Sequence, residues 1–263
     1  VRAKLHEAAL RVIDSGRYIG GDEVKAFERE MAAWMGVSDV CGVSCCTMAA
    51  FSALKCLGIG PGDEVITTVH TAIATAESIS LTEARVVFCD LAPGYFFLDP
   101  AEVERKVTKR TKAIVPVHLY GQPADIDAIM RTARKHNLAV IEDCAQAQGS
   151  RYRDRMVGTI GDAAVFSFFP SKNLGGFGDG GAVTAADAKV MKKIRMFSNH
   201  GRTDKYFHEF EGINSRLDAI QAAMLRVILP LVDEWNGKRR ATAKWYDEGL
   251  SGIEQVTCPN VLP

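Results

Sequence analysis

FSFFPSKNLGGFGDGG, residues 166–181, carries one lysine, Lys172, between an apolar run and a loop rich in glycine. A lysine where a strand ends is ordinarily a solvated surface cation. It becomes an active-site group only if the rest of the chain supplies partners for an amine. AAVFSFF (163–169), just before it, has the length and composition of a buried strand. AVT (182–184), just after the glycines, reads as a second short strand.

Further out, the first half of the chain alternates two kinds of segment. EVITT (64–68), RVVFCD (85–90), KAIVPV (112–117) and LAVIED (138–143) are strand-length and rich in β-branched residues. Helical spacing recurs between and around them: Val24, Phe27, Met31 and Trp34 over 22–35, and Ile126, Ile129, Met130 and Ala133 over 125–136. After residue 187 the pattern is mostly helical, through AKVMKKIRMF, RLDAIQAAMLRVIL and the stretch around Trp235 and Trp245. Continuous apolar strands alternating with helices predict an α/β fold, a mainly parallel central sheet with helices on both faces. Ligands of such sheets gather at the carboxyl ends of the strands.

The bulk numbers exclude several classes. At 263 residues, 47% hydrophobic and 24% charged, the chain can bury a real core. Lys+Arg and Asp+Glu are both 32, so net charge gives no reason to expect nucleic acid or an anionic membrane as partner. The basic stretch KVTKRTK (106–112) reads as a solvated turn. Charges such as Lys55 and Glu77 interrupt the apolar runs before they reach membrane-spanning length, and no secretory leader is expected. Seven cysteines without a C-x-x-C pair predict free thiols in a reducing cytoplasm, and neither they nor the six histidines show metal-ligand spacing.

Gly176, Gly178 and Gly181 fit G-x-G-x-x-G, but a dinucleotide fingerprint needs a helix directly after it, and here a strand follows. The glycines instead predict a sharp turn or the close approach of another surface. Three other features give Lys172 work. Asp143 ends LAVIED at the carboxyl edge of the sheet, where a carboxylate caps a helix or faces a ligand. Ser167 lies among phenylalanines, where a hydroxyl bonds to backbone or to a ligand. SCCTMAAFSALKCLG (44–58), with Cys46 and Thr47, reads as a turn into a helix whose N-terminus offers N–H groups to an anion. An amine for an imine, a carboxylate for a ring nitrogen and a phosphate cradle together point to pyridoxal 5'-phosphate.

SGRYIGGDEVKAFE, GIGPGDEVITT, TKAIVPVHLYGQPADIDAI, VIEDCAQAQGS, FSFFPSKNLGGFGDGGAV and NSRLDAIQAAMLR resemble the DegT/DnrJ/EryC1/StrS aminotransferases, over about residues 14–245. These are fold-type I pyridoxal phosphate enzymes acting mostly on nucleotide-linked keto sugars. The resemblance implies Lys172 as the Schiff-base lysine and proton shuttle, with Asp143 at the pyridine nitrogen. It implies Gln146 near the ring, and Ser167, Thr47 and the Cys46 N–H at the phosphate. Asn214 would reach the phosphate of a neighbouring subunit's cofactor, and Arg216 the substrate, so a homodimer with shared active sites is expected. Residues 1–229 would form the cofactor-binding large domain. Residues 230–263 would form a connecting helix and the start of a C-terminal domain that is largely absent, with apolar surface left bare where it packs. In the pocket, Cys45-Cys46-Thr47 stands where S-G-T or N-G-T is usual, and Met48 where Asp is usual. Ala72 stands where an aromatic residue stacks on the ring, a loss of about 1 kcal/mol of contact; His70, two residues away, is read as having no part in the site.

The reaction so implied moves an amino group from an amino acid, most often L-glutamate, to a keto sugar in amino-sugar biosynthesis. A sugar dehydratase of the same family would carry histidine in place of Lys172. A non-catalytic homologue that binds without turnover is the alternative from a different class.

Overall fold

The computed structural model describes residues 1–262. Seven strands form the main sheet: β1 (Cys41–Val43), β2 (Glu64–Thr68), β3 (Arg85–Cys89), β4 (Thr111–Val115), β5 (Ala139–Asp143), β8 (Ala163–Ser167) and β9 (Gly181–Ala185). Their order is β1-β9-β8-β5-β4-β2-β3. β3, β2, β4, β5 and β8 run parallel to one another, while β9 is antiparallel to both β8 and β1. The mainly parallel sheet is as expected. The reversal at β9 is not visible in the sequence, since strand direction leaves no mark on apolar periodicity.

Strands β2, β8 and β9 are buried along their whole length because helices cover both faces. Along β8, Ala164 and Phe166 join one apolar cluster and Ala163 and Val165 join the other. The first cluster takes in α1 (Arg2–Ser15), α2 (Gly21–Met35), α5 (Pro100–Lys106), α6 (Ile126–His136) and α8 (Ala219–Ile228). The second takes in α3 (Cys46–Cys56), α4 (Ile73–Ser80) and α7 (Ala188–Phe197). Two short strands, β6 (Arg151–Tyr152) and β7 (Arg155–Met156), make a separate hairpin. α9 (Val232–Leu250) follows, and its Trp245 and Tyr246 are exposed. No helix among the described residues is long and apolar enough to cross a membrane.

One buried carboxylate fixes the loop behind the site. Glu142 is fully buried and accepts N–H bonds from Gly158 (2.9 Å), Ile160 (2.8 Å) and Gly161 (2.8 Å). It also meets Nε2 of buried His118 at 3.1 Å. The Ala124 N–H donates to His118 Nδ1, which assigns the proton to Nε2, so His118 donates to Glu142. Burial alone would push the Glu142 carboxyl up, but the His118 and backbone donors outweigh it and hold it below the usual range. A carboxyl depressed by folding stabilises above its unfolded pKa, and that contribution is lost as pH falls through the folded value. In Glu142→Gln an amide NH2 must face N–H donors, and we expect a loss of about 3 kcal/mol in urea unfolding at pH 7. The gap between wild type and variant should narrow as the pH is lowered below about 4.

Candidate active site

The carboxyl ends of β5 and β8, the turn after β1 and the amino end of the reversed β9 meet at one edge of the sheet. A cavity of about 270 Å3 opens there, and Cys46, Thr47, Ala72, Asp143, Ser167 and Lys172 all line it. Six residues singled out in the sequence, from four stretches of the chain, thus share one space.

Asp143 is fixed on both sides. Its backbone N–H donates to Pro116 O and its carbonyl accepts from His118 N, which ties the end of β5 to the segment after β4. Its Oδ1 accepts from Ala145 N (3.0 Å) and its Oδ2 from Thr75 Oγ1 (2.9 Å). Thr75 and Thr71 hydroxyls lie 2.9 Å apart; since Thr75 donates to Asp143, Thr71 donates to Thr75. Thr75, on α4, carries no sequence signal, and only the fold shows its role.

The loop bearing Lys172 is pinned at its neck. Phe168 N donates to Gly180 O, and Phe168 O accepts from Gly176 N. The Phe168 ring is fully buried, edge-on to Phe27 of α2 at 5.3 Å between centroids. Gln148, also buried, donates to Ser167 O. Lys172 is left half-buried at the rim, with no carboxylate within ion-pair distance among the described residues.

The helix α3 begins beside this loop, and no side chain caps its N-terminus. A Cβ on Gly181 would lie 2.6 Å from Cys45 C, 2.7 Å from Cys46 N and 2.8 Å from Phe166 O. Glycine there lets the α3 terminus approach the sheet, as the close-approach reading of the glycines anticipates. The Cys46 thiol is pushed well above its ordinary range, mainly by burial and then by Asp143, so it stays a neutral packing group.

Gln146, Arg216 and Asn214 lie elsewhere. Gln146 lines a neighbouring cavity, and its Oε1 accepts from Tyr120 N at 2.9 Å. Arg216 lines a separate cavity with Arg195, Ser198, Asn199 and Arg202, and its Nη1 donates to Asn199 Oδ1 at 3.2 Å. Asn214 is exposed and lines neither cavity. Ala72 is the exposed N-cap of α4, and the aromatic ring in the main cavity's lining is that of Phe169. His70 packs against Phe96 and Tyr120 rather than lining the cavity. His118, Glu142 and Cys144 bring possible metal-binding atoms within 4.8 Å of one another, but both His118 nitrogens are already engaged as described.

The sequence profile of the DegT/DnrJ/EryC1/StrS aminotransferase family matches residues 1–263, and the chain belongs to that family. It is 47% identical, over its whole length and 69% of the relative's, to a dTDP-3-amino-3,4,6-trideoxy-alpha-D-glucose transaminase of Streptomyces venezuelae. The crystal structure of S. venezuelae DesV in complex with a ketimine intermediate superposes with a TM-score of 0.97 at 48% identity, covering all of this chain and 71% of that one. NtdA from Bacillus subtilis, solved with bound cofactor PMP, gives 0.92 at 30% identity, covering 96% of this chain and 58% of that one. The chain thus spans roughly two thirds of the length of the relatives it matches.

The family in general depends on pyridoxal phosphate, and the residues present fit that group. The cavity holds the Lys172 amine, the fixed carboxylate of Asp143 and a second carboxylate, Asp179, the hydroxyls of Thr47, Thr75 and Ser167, and an uncapped helix N-terminus. The donor set suits a phosphate at one end and a protonated ring nitrogen at the other. Gly181→Ala would force the α3 terminus off the sheet. We expect it to lower stability by about 1–3 kcal/mol and to weaken pyridoxal phosphate binding at least tenfold in a fluorescence titration.

Proposed function

We propose that this chain carries the cofactor-binding body of a transaminase that moves an amino group from an amino acid, L-glutamate first among candidates, to a nucleotide-linked keto sugar. The observation that supports it most is the meeting of Lys172, Asp143, Ser167, Thr47 and the start of α3 in one cavity. The similarity to a dTDP-sugar transaminase supports the sugar class.

Bound in this cavity, pyridoxal phosphate supplies an aldehyde for the amine and a ring that accepts electrons from the reacting carbon. The chain's residues divide the remaining work. The α3 N–H groups, with the hydroxyls of Thr47 and Ser167, would hold the phosphate. Asp143 would accept a hydrogen bond from the ring nitrogen, its own direction set by Thr75 and Ala145. Gln146 would sit beside the ring. Lys172 Nζ would form the covalent link and, once released by the incoming amino donor, carry the proton to and from the reacting carbon. Histidine in place of lysine would mark a dehydratase, and Lys172 weighs against it.

The position of Asn214, exposed and outside the cavity of its own chain, supports a second copy of the chain as the place where it acts. Residues 1–229 would form the cofactor-binding domain, with α9 leading from it. The seven free thiols fit a reducing cytoplasm.

Visible absorption spectra test the reading. Wild type with pyridoxal phosphate should show a visible band that L-glutamate bleaches. Lys172→Ala should lack both band and response while keeping its far-UV circular dichroism. A variant that turned over normally would remove Lys172 from its role. For the shared site, Asn214→Ala should raise the dissociation constant for the cofactor about tenfold, and sedimentation should report a dimer. A fully active monomer would refute the sharing.

A further inference from the structure

Lys172 borders two cavities. The second, about 330 Å3, is lined by Tyr120, Gln146, Ser171, Lys172, Asn173 and Arg239. We propose that it is a subsite for an oxyanion of the substrate, anchored by the Arg239 guanidinium; the proposal rests on the transaminase reading for the identity of that substrate. The lining offers the Arg239 guanidinium, the Lys172 amine already assigned to the cofactor, two amides, a phenol and a hydroxyl, and no carboxylate. A carboxylate or phosphoryl group satisfies such a set, and arginine binds either with paired N–H donors.

Arg239 is exposed, loosely held, and its charge is unanswered. Its Nη1 lies 3.4 Å from Asn236 Oδ1, which also accepts from Asn173 Nδ2 at 2.8 Å. Asn236 is buried and donates in turn to Gln148 O at 2.8 Å, so α9 is tied to the residue next to Lys172 and to the segment after β5. Elsewhere on this helix Lys238 pairs with Glu234 and Lys244 with Glu248. Among the described residues no carboxylate lies within ion-pair distance of Arg239.

Another lining residue, Tyr120, carries strain. Tyr120 has φ 58° and ψ 16°, a left-handed conformation that a large side chain keeps only where its surroundings hold it. Gln146 Oε1 takes its N–H, and its ring meets Phe96 edge-on at 5.6 Å, with its hydroxyl 3.3 Å from His70 Nε2. The ring is 65% exposed, so it is presented at the cavity rim rather than packed away. An aromatic ring and a cation lining one cavity suit a ligand with a hydroxyl-bearing or aliphatic body and an anionic end.

Two sources can supply the oxyanion: the carboxylate of an acidic amino donor, or a phosphoryl group of a nucleotide-linked sugar. Calorimetric titration of the pyridoxal phosphate-loaded protein with glutarate, which has no amine to transfer, and with inorganic pyrophosphate distinguishes them. We expect one of the two to bind wild type and to bind Arg239→Gln at least tenfold more weakly. A glutarate effect assigns the donor carboxylate, and a pyrophosphate effect assigns the phosphoryl group. Failure of both to bind wild type, or equal binding to wild type and Arg239→Gln, overturns the subsite. The visible band of Arg239→Gln reports that the fold and cofactor are intact. If L-glutamate fails to bleach wild type, the transaminase reading falls, and the two titrations still decide the subsite.

Discussion

The contact on which the site depends is the one at Gly181. The Cys45–Cys46 peptide approaches the first residue of β9 so closely that a methyl group would overlap it. That approach brings the uncapped start of α3 against the sheet edge, where the ends of β5 and β8 place Asp143 and Ser167. Because β9 runs against β8, its amino end rather than its carboxyl end reaches this edge. The glycine loop can therefore leave β8, present Lys172 and return over a short distance. The Phe168–Gly180 bond closes the neck, and the Phe168 ring, set against Phe27, fastens it to the helical layer.

Neighbouring carboxylates on β5 show how the pleat divides work. Glu142 turns away from the cavity and spends its two oxygens on His118 and three backbone N–H groups. Asp143, the next residue, faces the cavity and takes one donor on each oxygen. The first is saturated by protein and acts as a strut. The second keeps lone-pair capacity for a further partner. Alternation along a strand is enough to give adjacent acids opposite tasks.

Much of this was legible in the sequence for physical reasons. Strands covered on both faces must be apolar throughout, so EVITT and LAVIED announce β2 and β5 almost to the residue. β1 escapes because three residues, CGV, carry no periodicity, and β6 and β7 are shorter still. In the cavity, Lys172, Asp143, Ser167 and Thr47 stand out because strand ends and helix starts are where ligands gather. Thr75 does not: its distance from Asp143 is set by how α4 folds back after β2, which no local pattern records. Asn214 and Arg216 are named by resemblance alone, and within one chain they lie outside the Lys172 cavity.

Lys172 itself sits at a boundary. On one side are the carboxylates and hydroxyls of the first cavity; on the other are amides, a phenol and Arg239. In the role proposed for it, this amine would be bonded at one moment and free at the next, which needs room on both sides and no permanent acidic partner, since an ion pair would hold it in one place. Among the described residues it has none. The neighbouring Asn173 supplies the constraint instead: its bond to buried Asn236 fixes the backbone beside the lysine while leaving the ammonium unpaired. The loop is thus held by an amide on α9 and by the ring of Phe168, and the Lys172 side chain between those anchors is left without an ion pair.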